Sequence, residues 1–113
     1  MALVRITVPE DRVESFQARA EFCRVLTDPK RLAIVEALRD GERSVGDLAD
    51  ELSCSLPNVS QHLSTLRAAG LVARRRDGTT VYYRLAEPRI LEACEIVAGI
   101  VERIGRSPTE ESR

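Results

Sequence analysis

The chain has 113 residues, of which 43% are hydrophobic and only 4% aromatic, with no Trp; this is one domain whose core must come from Leu, Val, Ile and Ala, a composition that favours helices. No apolar run approaches the roughly 18 residues that span a bilayer, the first residues lack a secretory apolar region, and three cysteines without close pairing argue against a secreted disulfide framework, so a cytoplasmic chain with free thiols is expected. The net charge is −1, but residues 55–85 carry five arginines against Asp77 alone, a net of +4 that leaves −5 elsewhere, as expected of a protein with one phosphate-seeking face.

From Leu3 to Val8 the chain alternates, with Val4, Ile6 and Val8 on one side and Arg5 and Thr7 on the other. Residues 1–10 therefore read as a short strand or extended arm, ended by Pro9. Residues 11–26 form a helix with Val13, Phe16, Ala20 and Cys23 on one stripe, widened by Phe22 and Leu26. Asp28-Pro29 starts the next helix, because Asp caps free amides and Pro tolerates the first turn; it runs from Pro29 to Arg39 and buries Leu32, Ile34, Val35 and Leu38 before Gly41. Ser44-Val45-Gly46-Asp47 resembles a capping box with Asp in place of Glu, and Val45, Leu48 and Leu52 give the short helix that follows an apolar face.

Ser53-Cys54 makes a tight turn and Ser55 caps the next helix, which is the helix-turn-helix pattern. That second helix has Val59, Leu63 and Leu66 at its back and short polar side chains in front, and Gly70 stops it. A small, polar, acid-free front suits the major groove, where carboxylates would repel phosphate and bulk would hold base edges away. Segments Leu71–Arg76 and Thr79–Leu85 flank Asp77-Gly78, a hairpin signal whose turn needs positive φ. Pro88 opens a last helix to Ile104, where Ile90, Cys94, Val97, Val101 and Ile104 form a straight apolar seam of the kind that packs on a helix of a second subunit. Residues 11–104 are thus the domain, and 105–113 a polar tail expected to be flexible.

This order carries Asp28-Pro29-Lys30-Arg31-Leu32, Val59-Ser60-Gln61-His62-Leu63, Leu66-Arg67-Ala68-Ala69-Gly70-Leu71-Val72 and Arg76-Asp77-Gly78-Thr79-Thr80-Val81-Tyr82-Tyr83-Arg84-Leu85. Over roughly residues 16–104 the combination resembles the ArsR/SmtB family of winged helix-turn-helix repressors. The resemblance implies a mostly α fold with a small β-hairpin wing (α+β), a homodimer through its first and last helices, a palindromic operator in double-stranded promoter DNA, and release by an inducer.

The candidate DNA contacts follow from side-chain chemistry. Asn58 and Gln61 carry carboxamides that can pair bidentately with adenine. Ser55 and Ser60 suit phosphates at the helix N-terminus, and Pro57 and Ser64 share that front. Arg74, Arg75, Arg76, Thr79 and Thr80 would grip the flanking backbone or place an arginine in the minor groove. His62, the sole histidine, fits a packing or phosphate-contact role within Ser-x-His-Leu better than a metal site.

The signal is less plainly written. Zinc-type members carry acids and histidines on the last helix; this one has Glu92, Glu95 and Glu102 but no His, and the paired cysteines of arsenic-type members are missing near Val45-Gly46-Asp47. Cys54 fits a small buried hydrophobe. Cys23 and Cys94 fall on the apolar stripes of the two expected dimer helices, where a thiol-reactive inducer, an oxidant or reactive sulfur species, could reset the spacing of the DNA-reading helices. A soft metal or metalloid held by thiolates, and a ligand-free repressor whose cysteines only pack, stay open beside that reading. No catalytic site, metal or cofactor is expected: there is no Cys-x-x-Cys, no Gly-rich phosphate loop and no base beside a thiol.

Overall fold

The computed structural model describes residues 10–105, in the order α1 (Glu10–Val25), α2 (Pro29–Ala37), β1 (Arg43–Ser44), α3 (Val45–Leu52), α4 (Leu56–Ala68), β2 (Val72–Asp77), β3 (Thr80–Leu85) and α5 (Ile90–Gly105). Of the arm expected over residues 1–10 and the tail expected over 105–113, residues 1–9 and 106–113 lie outside the described residues, whereas Glu10 and Gly105 are the outer ends of α1 and α5. The fold is mostly helical with a small antiparallel sheet in the order β1-β3-β2. None of these helices is long and apolar enough to cross a membrane.

Short polar side chains set the helix starts. Asp28 accepts the Lys30 amide at 2.7 Å ahead of Pro29, and this bond is the main reason its carboxyl titrates below its ordinary range. Ser44 accepts from the Asp47 amide at 3.0 Å and Ser55 from the Asn58 amide at 3.2 Å. Helix α2 ends at Ala37, two residues before the expected Arg39, because Leu38 leaves helical geometry (φ −91°, ψ 7°) while keeping its side chain buried.

The helix-turn-helix corner is closed by backbone. Ser53 adopts a left-handed φ of 53°, so that its amide bonds the Asp50 carbonyl at 3.2 Å and the Cys54 amide bonds the Ala49 carbonyl at 2.9 Å. Cys54 then turns inward against the core, in the apolar position that accompanies such a helix end. Helix α4 ends the same way. Gly70 (φ +83°) lets the Leu71 amide reach the Leu66 carbonyl at 3.0 Å and sends Leu71 into the core.

The hairpin differs by one residue from the expected Asp77-Gly78 turn. Asp77 pairs with Thr80, so Gly78 and Thr79 are the loop. Only Gly78 (φ +66°) has positive φ there, as a II′ turn requires; an Asp-Gly turn of type I′ would force Asp77 into that region too. The strand β1 was not anticipated: Arg43 pairs with Tyr83 and Ser44 with Tyr82, which seats the hairpin against the start of α3. Helix α5 starts at Ile90 rather than Pro88, after a turn in which the Ile90 amide bonds the Glu87 carbonyl at 3.0 Å.

The core lies between α2, α3, α4 and the sheet, where Ile34, Val35, Leu38, Leu48, Val59, Leu63, Leu66 and Leu71 are the most completely enclosed. Each such side chain contributes on the order of 1.5–3 kcal/mol by leaving water. Helices α1 and α5 behave differently. Phe16 is 49% exposed and Phe22 36%, and along α5 Val97 is 56%, Val101 60% and Ile104 70% exposed, so of the expected seam only Ile90 is buried. The radius of gyration, 17.9 Å, reflects these outlying helices; a compact domain of this length would have about 13 Å.

Candidate nucleic-acid interface

Helix α4 has two unlike sides. At about 100° per residue, Val59, Leu63 and Leu66 fall together at the back, where all three are fully buried. Pro57, Asn58, Ser60, Gln61 and Ser64 are exposed. The centre of the outward side is Pro57, Gln61, Ser64 and Ala68, with Asn58 and Ser60 on its two edges. The Ser55 hydroxyl accepts from the Asn58 amide, which leaves its proton to donate outward. A helix N-terminus with exposed hydroxyls and carboxamides can take phosphates at its first turn and base edges along its side.

His62 stands apart from the other expected contacts. It is half-buried on the flank of α4, with Nδ1 3.4 Å from the Arg31 guanidinium of α2. Arg31 also donates its Nε–H to the Val25 carbonyl at 2.5 Å. The imidazole thus has a partner within the chain, and Arg31 bridges the end of α1 and the flank of α4.

The three consecutive arginines of the wing divide by strand alternation. Arg74 and Arg76 lie on the face of β2 shared with Val81 and Tyr83, whereas Arg75 shares the other with Tyr82 and Arg84. Arg74 and Arg76 are exposed and form no ion pair among the described residues. Arg75 is engaged. Its Nε lies 3.1 and 3.0 Å from the two carboxylate oxygens of Glu42, its Nη2 bonds the same carboxylate, and its guanidinium lies 4.6 Å from the centre of the Tyr82 ring. Asp77 is a further acid at 4.0 Å. The hydrogen bond to Arg75 holds the Glu42 carboxyl below its ordinary range, and the same bond pushes the Arg75 guanidinium still higher. Thr79 and Thr80 sit at the wing tip beside Gly78.

Cys23 and Cys94 line one apolar groove of about 620 Å³ between α1 and α5, together with Phe22, Leu26, Val97 and Val101. Cys23 is exposed and Cys94 half-buried. Burial, with a smaller effect from the Glu36 carboxylate, pushes the Cys94 thiol above its ordinary range, so it stays protonated at neutral pH. Cys54 lies elsewhere, against the core. Among the described residues no group of three His, Cys, Asp or Glu side chains could hold a metal ion.

Three partners went unnoticed in the sequence: Glu42, Arg31 and Tyr82. Glu42 and Arg75 are 33 residues apart, and Arg31 and His62 are 31 apart, separations at which no local pattern signals a pair.

Residues 28–74 match the family of bacterial regulatory proteins of the arsR type. The HTH-type transcriptional regulator Rv0081 of Mycobacterium tuberculosis is 38% identical over 90 residues, covering 79% of each chain, and its crystal structure superposes with a TM-score of 0.72 over 79% of this chain and 90% of that one. The HTH-type transcriptional repressor SmtB of the same organism is 47% identical over 74 residues, 66% of this chain and 55% of that protein. The homodimeric winged helix-turn-helix DNA-binding domain Mb0332 of Mycobacterium bovis superposes with a TM-score of 0.75 at 27% identity, over 88% of this chain and 92% of that one. With a capped, polar-fronted second helix, an arginine-bearing wing and these relatives, the chain belongs to the ArsR/SmtB family of winged helix-turn-helix transcriptional regulators, and is a DNA-binding protein rather than an enzyme.

Proposed function

We propose that this regulator is a homodimeric repressor that binds a palindromic promoter operator through α4 and the wing. The two-sidedness of α4 carries the reading. Its back is locked into the core by Val59, Leu63 and Leu66, while Pro57, Asn58, Ser60, Gln61 and Ser64 face outward. In this arrangement Asn58 and Gln61 read base edges, Ser55 and Ser60 take phosphates, and Arg74, Arg76, Thr79 and Thr80 hold the flanking backbone. Arg75 and His62 are left out of the contact set because both have partners within the chain.

A second copy is the occupant that the exposed faces of α1 and α5 call for. The groove of about 620 Å³ is almost wholly apolar, and the apolar residues of α5 continue past it to Ile104. The homodimeric state of the Mycobacterium bovis domain supports this assignment, with residues 11–104 as the folded unit.

The same groove supports a thiol-directed release. Cys23 on α1 and Cys94 on α5 both line it. Hydrogen peroxide that takes two electrons and two protons from a pair of thiols leaves a disulfide and two waters. Such a bond between these helices, or a polysulfide bridge across them, would shift the dimer and with it the spacing of the two α4 helices. The check is fluorescence anisotropy with the promoter fragment upstream of the regulator's own gene, before and after peroxide or polysulfide. Affinity should fall on treatment, and Cys94→Ser should abolish the response. A response that persists in both Cys23→Ser and Cys94→Ser would refute the thiol route, and a protein that stays monomeric at micromolar concentration would refute the dimer.

A further inference from the structure

We propose that Glu42 is a specificity-determining residue: by holding Arg75 against the body of the protein, it limits strand β2 of the wing to two free arginines and so restrains sequence-independent binding to DNA. The inference rests on the DNA interface described above.

Phosphate contacts supply affinity without sequence information. Each one steepens the salt dependence of binding by about 0.9 in log–log slope. Three free arginines on β2 would raise affinity for every duplex, and a regulator that must find one site among a genome of competitors gains nothing from that. The structure withholds one of the three. Arg75 points to the opposite face of β2 from Arg74 and Arg76. Both of its fork positions meet the Glu42 carboxylate, and its guanidinium lies over the Tyr82 ring.

An isolated exposed ion pair would be weak, because water screens it and two long side chains must be ordered to make it. This one is reinforced three ways: the fork is bidentate, the guanidinium rests on an aromatic ring, and Asp77 offers a second acid at 4.0 Å. Glu42 also comes directly before β1, which pairs with β3, so its backbone is anchored beside the hairpin it neutralises. Arg84, on the same face as Arg75, adds attraction that keeps the Glu42 carboxylate ionised.

The test uses random-sequence 30-base-pair duplex DNA at several salt concentrations, with the full chain and no operator required. Glu42→Gln should raise affinity roughly fivefold at 0.15 M salt and steepen the slope by about 0.9, because one cation becomes available. The double variant Glu42→Gln with Arg75→Gln removes an already neutral pair and should return to the wild-type affinity and slope. Arg74→Gln should flatten the slope by about 0.9. The proposal is overturned if Glu42→Gln leaves the slope unchanged, or if the double variant flattens it as much as Arg74→Gln does, since Arg75 would then leave Glu42 for phosphate in the complex. Wild-type protein without salt-dependent binding to the duplex would overturn the DNA interface itself, a result distinct from either of these. Should Glu42→Gln fold poorly by circular dichroism, the double variant decides alone.

Discussion

The Arg31 guanidinium meets Nδ1 of His62 at 3.4 Å while its Nε–H caps the Val25 carbonyl, so one side chain of α2 joins the end of α1 to the flank of α4. A guanidinium has donors and no acceptor. A hydrogen bond between them therefore uses the Nδ1 lone pair, which places a ring proton on Nε2. Two-dimensional ¹⁵N NMR should show the Nε2–H tautomer in wild-type protein and a mixture in Arg31→Gln. Arg31→Ala should cost about 1–2 kcal/mol, the net worth of one or two hydrogen bonds, read as a lower urea midpoint. An unchanged midpoint and tautomer would show that the brace carries no weight.

Ser55 has two separable duties, as helix cap and as neighbour of phosphate. Ser55→Ala should destabilise the fold by about 1 kcal/mol through loss of the bond to the Asn58 amide. Ser55→Asp keeps a capping oxygen and should retain near-native stability in urea, yet its charge should weaken DNA binding at least tenfold at low salt. If Ser55→Asp binds as tightly as wild type, the first turn of α4 does not approach phosphate.

Cys94 gives the stability a pH dependence of defined sign. The folded chain holds the thiol proton more tightly than the unfolded chain, whose value is the ordinary 9.0. Its contribution to stability is therefore full below that value and is lost as pH rises through the raised folded value. Urea midpoints should fall between neutral and strongly alkaline pH, and Cys94→Ala should reduce that fall. Timed alkylation read by mass spectrometry should label the exposed Cys23 ahead of Cys94 at pH 7.

Base reading and phosphate gripping should separate in binding profiles. Gln61→Ala or Asn58→Ala should cost about 1–3 kcal/mol on the operator, with preference relaxed at particular positions and little change on random DNA. Arg76→Gln should weaken both by a similar factor and flatten the salt slope by about 0.9. Identical profiles for the two kinds of variant would mean that α4 does not lie in the major groove.

Much of this was legible from the sequence because it is local. Asp28, Ser44 and Ser55 signal helix starts within three residues of the amides they accept from, and Gly70 marks a stop through its own φ. The back of α4 follows from spacing alone. The two-residue strand Arg43–Ser44 gave no signal, because alternation needs more residues than it has, and its existence depends on Tyr82 and Tyr83 about 40 positions later. The hairpin turn was misplaced by one residue because Asp-Gly and Gly-Thr both satisfy a two-residue loop, and the choice lies in the strand register. The apolar seam of α5 was visible, but periodicity does not reveal whether another part of the same chain covers it; among the described residues only Ile90 of the seam is buried. Arg75 looked like its neighbours until the sheet put it on the other face.

The division of α4 into a buried back and a free front bears on how such regulators diversify. Val59, Leu63 and Leu66 carry the folding duty, and replacing one of them with Ala would cost about 2–5 kcal/mol. Among the described residues, the exposed side chains of Pro57, Gln61 and Ser64 make no hydrogen bond or ion pair. Mutations at these three positions can wander through polar chemistry almost without penalty to the fold. A duplicated gene could acquire a new operator preference one side chain at a time, with every intermediate folded.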